Sequence, residues 1–82
     1  MENMKKSFRF LELNKIRELS RLANEYNIDI NAQRDSIVVD CKSFMGLIEI
    51  CSDKPITITP ITDNYELAQE ILNKIQKIVE ER

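Results

Sequence analysis

Ser43 is the side chain best placed to carry chemistry. It lies in Cys41-Lys42-Ser43-Phe44-Met45-Gly46-Leu47-Ile48-Glu49-Ile50, a stretch that follows a strand pattern and holds the only glycine of the chain. A serine there caps a short helix, its oxygen accepting from an orphan backbone N–H. The same hydroxyl is a candidate for regulatory phosphorylation. A phosphate would bring about −1.5 to −2 charges to the positive end of a helix, where negative charge is stabilised. The two roles are compatible, because a capped helix start is also a seat for phosphate.

Other reactive groups are sparse. There is no histidine, which removes the usual general base and zinc ligand and the one side chain that titrates unperturbed near neutral pH. Cys41 and Cys51 lack metal-motif spacing and neighbouring ligands. No apolar segment follows the charged start Met1-Glu2-Asn3-Met4-Lys5-Lys6, so it does not read as a secretion signal. The two cysteines are therefore expected as reduced, at least partly buried thiols. No acid pair, nucleophile with base, or ligand set is visible, so the reading is a non-enzyme without metal or cofactor. Glu12 is a loop carboxylate, and Lys15, Arg17 and Arg21 are either a solvated helix face or a site for an acidic partner.

The totals narrow the class. At 82 residues, 43% hydrophobic and 32% charged, the chain reads as one globular domain over 1–82. A domain this small buries only about 60% of its unfolded surface. A net charge of −2 gives no basic excess for nucleic acid, and no apolar run approaches the roughly 20 residues that cross a bilayer.

The elements that must position Ser43 follow from periodicity. Phe8 and Phe10 alternate in Ser7–Leu11, a first strand. Ile16, Leu19, Leu22, Ala23 and Tyr26 recur at helical spacing, giving a helix from about Asn14 to Tyr26 with Asn14 as its cap and Ser20 and Asn24 on its polar side. Ile28, Ile30 and Ala32 alternate with polar residues in a second strand. Gln33-Arg34-Asp35 turns the chain into a hairpin with the β-branched Ser36–Cys41. Lys42–Ile50 is the second helix, and Cys51-Ser52-Asp53-Lys54 a polar loop. Pro55–Thr59 alternates as a fourth strand, with Pro60 at its end, a bulge or an edge. Asp63 with Glu66 resembles a capping box. Leu67, Ala68, Ile71, Leu72, Ile75, Ile78 and Val79 then form one stripe of a last helix. The order β-α-β-β-α-β-α implies an α+β open-faced β-sandwich: one four-stranded antiparallel sheet, three helices on one face, the other face in water.

Tyr26-Asn27-Ile28-Asp29-Ile30-Asn31, the hairpin and Lys42-Ser43-Phe44-Met45-Gly46-Leu47 resemble HPr, the histidine-containing phosphocarrier of the bacterial phosphoenolpyruvate-dependent sugar phosphotransferase system. The resemblance covers roughly residues 8 to 80, the fourth strand and last helix fitting after a shorter loop. The family carries His-x-Arg-Pro after its first strand, and that histidine takes phosphate from enzyme I. Here the connection reads Leu11-Glu12-Leu13-Asn14-Lys15-Ile16. Counting back without gaps sets Glu12 at the histidine's place and Asn14 at the arginine's. Aligning the strand phenylalanines shortens the loop instead. Either way the family's active site is degenerate.

The resemblance implies a cytoplasmic module that regulates sugar transport by binding proteins. In Gram-positive members the motif serine, here Ser43, is phosphorylated by HPr kinase, and the product binds a transcriptional regulator. One paralogue lost the histidine and kept the serine. Docking in the family uses the second helix and the start of the first, which points to Phe44, Met45, Ile48, Lys15 and Arg17. The alternative is a stand-alone protein- or small-ligand-binding domain with no phosphotransfer role. The partner, the oligomeric state and strand exchange through the first strand stay open.

Overall fold

The structure, a computed structural model, describes residues 3–51 and 54–81. Its elements in chain order are β1 (Lys6–Phe8), α1 (Leu13–Ala23), β2 (Ile30–Arg34), β3 (Ile37–Asp40), α2 (Phe44–Ile50), β4 (Ile56–Pro60) and α3 (Tyr65–Glu80). The strands form one antiparallel sheet in the order β1-β4-β2-β3. Because strand side chains alternate between faces, Phe8, Ile30, Ala32, Ile56, Ile58 and Pro60 turn to one side and are buried. There they meet Ile16, Leu19, Leu22, Leu47, Ile50, Ile71 and Ile75 of the helices in a single core. The opposite face is wet and, apart from Val38, polar, and Ser7 and Thr57, paired across β1 and β4, share a hydroxyl hydrogen bond of 3.1 Å there. This is the expected open-faced α+β sandwich.

The stripe on α3 packs as its spacing requires, with Ile71 and Ile75 sealed from solvent. Burying each such side chain stabilises the fold by about 1.5–3 kcal/mol. Its cap differs from expectation. Asn64, not Asp63, is the N-cap, its side chain accepting from Leu67 N at 3.1 Å. Thr62 Oγ1 holds the Asn64 N–H, so the helix starts one residue later than a box on Asp63 would allow.

Boundaries shift elsewhere. β1 ends at Phe8, although Phe10 is also buried. α1 begins at Leu13, with Asn14 inside it and Glu12 in the extended N-cap position. It closes at Ala23, and Tyr26 reaches α3 instead, donating to Glu70 Oε2 at 2.8 Å and accepting from Lys74 Nζ at 3.0 Å. β2 starts at Ile30, leaving Ile28 half-buried before it. The hairpin turns at Asp35 and Ser36, because Gln33 and Arg34 pair with β3. Asp35 takes a φ of 56°, a left-handed conformation that aspartate tolerates better than most residues. Ser20, expected on a polar face, is buried at 6% exposure.

Pro60 ends β4 opposite Ile30, and Ile61 N carries the pairing onward to Asp29 O at 2.8 Å. Of the expected polar loop, Ser52 and Asp53 lie outside the described residues, as do Met1 and Glu2. Among the described residues no helix is long and apolar enough to cross a membrane.

Candidate functional site around Ser43

Ser43 is held from both sides. Before it, the chain leaves β3 in a turn in which Asp40 Oδ1 accepts from Lys42 N at 2.8 Å and Asp40 O from Ser43 N at 2.9 Å. From α1, Ser20 Oγ and Asn24 Nδ2 both donate to Lys42 O, at 3.2 and 3.1 Å. That is why Ser20 is buried: it latches the turn to α1. Beyond Ser43, its Oγ accepts from Gly46 N at 3.1 Å and its carbonyl from Leu47 N at 3.0 Å. The cap expected from sequence is therefore present, and the Ser43 side chain remains exposed.

Gly46 is required by close approach. A Cβ there would stand 3.2 Å from Ser43 Oγ and 3.3 Å from Val39 Cβ. The glycine lets the first turn of α2 settle on β3 while the cap oxygen keeps its place.

α2 divides its side chains sharply. Leu47 and Ile50 are fully buried, whereas Met45 is 78% and Ile48 46% exposed. Phe44 is partly buried against the core, and the Arg17 guanidinium stands 5.1 Å over its ring. This cation–π contact fastens the second turn of α1 to the first turn of α2, next to Ser43. Met45, Ile48, Phe44 and Arg17 are thus brought to one region. Lys15 is not. Its ammonium donates to Ile78 O at 2.7 Å, to Val79 O at 3.3 Å and to Glu81 O, closing the end of α3.

Glu12 is exposed, and its carboxylate makes no cap hydrogen bond; its carbonyl accepts from Lys15 and Ile16 N at 3.1 and 3.2 Å. The leucines beside it were missed from sequence. Leu11 is 70% and Leu13 54% exposed. Their signal was two leucines flanking a glutamate in a connection, outside any helical stripe. With Arg9, Lys15, Val79 and Glu81, Leu11 and Glu12 line a hollow of about 210 Å³.

The thiols offer little reactivity. Burial, helped by the Asp40 charge, pushes Cys41 up to about 12, and burial pushes Cys51 up to about 11 against the opposing pull of Arg34. Both are free and protonated at neutral pH. Among the described residues no three His, Cys, Asp or Glu side chains are grouped to hold a metal ion.

Superposition on solved structures decides the architecture. A phosphocarrier protein HPr from Bacillus anthracis str. Ames aligns over 98% of this chain and 100% of its own, with TM-score 0.74 and 23% identity. The chain has the HPr fold. HPr-C-His from Thermoanaerobacter tengcongensis aligns over 100% and 99%, with TM-score 0.75 and 16% identity. The catabolite repression protein Crh of Bacillus subtilis aligns over 98% and 94%, with TM-score 0.67 and 24% identity. No family model and no curated protein matches the sequence. On this HPr fold the loop between β1 and α1 presents Leu11 and Glu12, just ahead of Leu13 at the start of α1, and the chain has no histidine to place there.

Proposed function

We propose that this chain is a divergent, non-enzymatic member of the HPr family: a cytoplasmic module that docks onto proteins of the sugar phosphotransferase system without acting as a histidine phosphocarrier. The observation that carries the reading is the juxtaposition on α2 of an exposed Met45 and Ile48 with the exposed capping hydroxyl of Ser43. Met is adaptable at docking surfaces, and here its exposure is not explained by packing. Leu11 and Leu13 add apolar surface at the start of α1, and Arg17 supplies a positive charge at the region's border. Lys15 is left out of the surface in this reading, since its ammonium is engaged by the carbonyls at the end of α3. With no histidine in the sequence, transfer through phosphohistidine is closed, and Glu12 serves as a fixed surface charge.

Ser43 is the regulatory phosphosite of this reading, with HPr kinase as the enzyme and a transcriptional regulator as the partner of the phosphorylated form. Phosphorylation would place the new charge beside the Arg17–Phe44 contact. Incubation with ATP and HPr kinase should add the mass of one phosphate to the wild type and none to Ser43→Ala. No gain with a cognate kinase rejects the phosphosite. A stable phosphoprotein formed with phosphoenolpyruvate and enzyme I rejects the non-carrier reading.

A small-ligand domain fits less well. A second hollow among the described residues, about 470 Å³, lies over the outward face of α3 and is lined by residues of that helix alone.

A further inference from the structure

We propose that β3 is a self-pairing edge, through which two copies of this chain join β3 to β3 across a twofold axis at Val38 and form one continuous eight-stranded sheet. The two outer strands of the sheet are unlike. β1 is three residues long, starts on Lys6 and is flanked by Lys5 and Arg9, all exposed, the means by which edges are commonly protected. β3 pairs only with β2 among the described residues. It carries no lysine, no proline and no bulge, and shows Ile37 at 47% and Val38 at 52% exposure.

The backbone pattern selects the register. Cys41 N donates to Ile30 O at 2.9 Å, so residues 30 and 41 form a hydrogen-bonded pair. Antiparallel pairs alternate in type, so Val39 and Ile37 turn their amide groups to β2, while Val38 turns both its N–H and its C=O outward. An antiparallel copy centred on Val38 matches these free groups with their own images, each Val38 N–H donating to the other Val38 C=O. A copy centred on Asp40 would oppose two carboxylates directly, which is unfavourable. Centring on Val38 sets each Asp40 opposite a neutral Ser36. The same register lays Val38 against Val38 on the open face and Ile37 beside Val39 on the helix face, covering the exposed apolar residues of β3.

The assembly closes at two. Its outer strands are both β1, short and basic, so addition of further copies is blocked. An edge of four residues is a small contact beside the roughly 1,600 Å² of a standard interface, so the association is expected to be weak and to show only toward millimolar concentration. Both subunits keep their helices on the same side of the joined sheet. The inference is independent of any docking by α2.

Sedimentation equilibrium from micromolar to millimolar concentration tests it. The wild type should fit a monomer–dimer equilibrium, with amide shifts confined to residues 36–40. Val38→Lys should raise the dissociation constant about tenfold or more. Val38→Pro should do the same without loss of circular dichroism, because the Val38 N–H is not used within the monomer. A monomer throughout, a dimer indifferent to both variants, or growth beyond two overturns the proposal.

Discussion

Lys15 Nζ donates to the Ile78 carbonyl at 2.7 Å, and so a side chain in the first turn of α1 closes the last turn of α3. The final carbonyls of a helix have no partner within it, and a cation there also complements the helix dipole. Replacing Lys15 by Met keeps the aliphatic stem and removes the donor. Lys15→Met should lose about 1–2 kcal/mol of stability in urea unfolding, and the amides of the last turn of α3 should exchange faster.

Ser43→Ala removes the cap of α2 and should cost about 1 kcal/mol. Ser43→Asp should keep most of that stability, since aspartate also caps and its charge suits the helix start. Denaturant midpoints of the three proteins measured together read this difference. Equal losses for both variants would mean that the Ser43 Oγ–Gly46 N bond contributes little.

Met45 and Leu47 are two residues apart on α2 and should respond oppositely. Met45→Ala removes a side chain that is 78% exposed and should change stability by less than about 0.5 kcal/mol. Leu47→Ala empties a fully buried site and should cost about 2–5 kcal/mol. On phosphorylation of Ser43, Met45→Ala should raise KM for the protein substrate of HPr kinase while leaving kcat near wild type. An unchanged KM would remove Met45 from the docking surface.

Alkaline pH should weaken the fold through Cys41. Burial lifts its pKa from 9.0 to about 12, so between those values the folded chain holds a proton that the unfolded chain releases. Stability then falls as pH rises; the contribution is intact below about pH 9 and is lost on approach to about pH 12. Cys51 adds a smaller effect of the same sign. Cys41→Ala should flatten the decline between pH 9 and pH 11 in urea titrations, whatever it does to stability at pH 7.

The sequence made the fold legible where the signal is local. The α3 stripe and the alternation in β4 depend on spacing alone, and both hold in the structure. Element ends were less legible, because neighbouring residues compete for the same cap: Asp63 and Asn64 are both competent, and only the Thr62 contact favours Asn64. At the site, the Ser43 cap was readable from four consecutive residues. Ser20 was not, since its partner is the Lys42 carbonyl, distant in sequence and contributed by the main chain. The partners of Lys15 were hidden for the same reason. A surface cation and a lysine that closes a distant helix have the same local pattern.

β4 is the last of the four described strands to be synthesised, yet it lies between β1 and β2. While the chain is on the ribosome, β1 has no strand to pair with and β2 has only its hairpin partner β3. The hairpin can form early because its ends are close in sequence, but Phe8, Phe10 and the apolar side of α1 must wait for nearly the whole domain to emerge. A nascent chain stalled before Ile56 therefore holds an exposed apolar half, the kind of intermediate that chaperones recognise. Completion of the sheet is deferred until β4 has emerged.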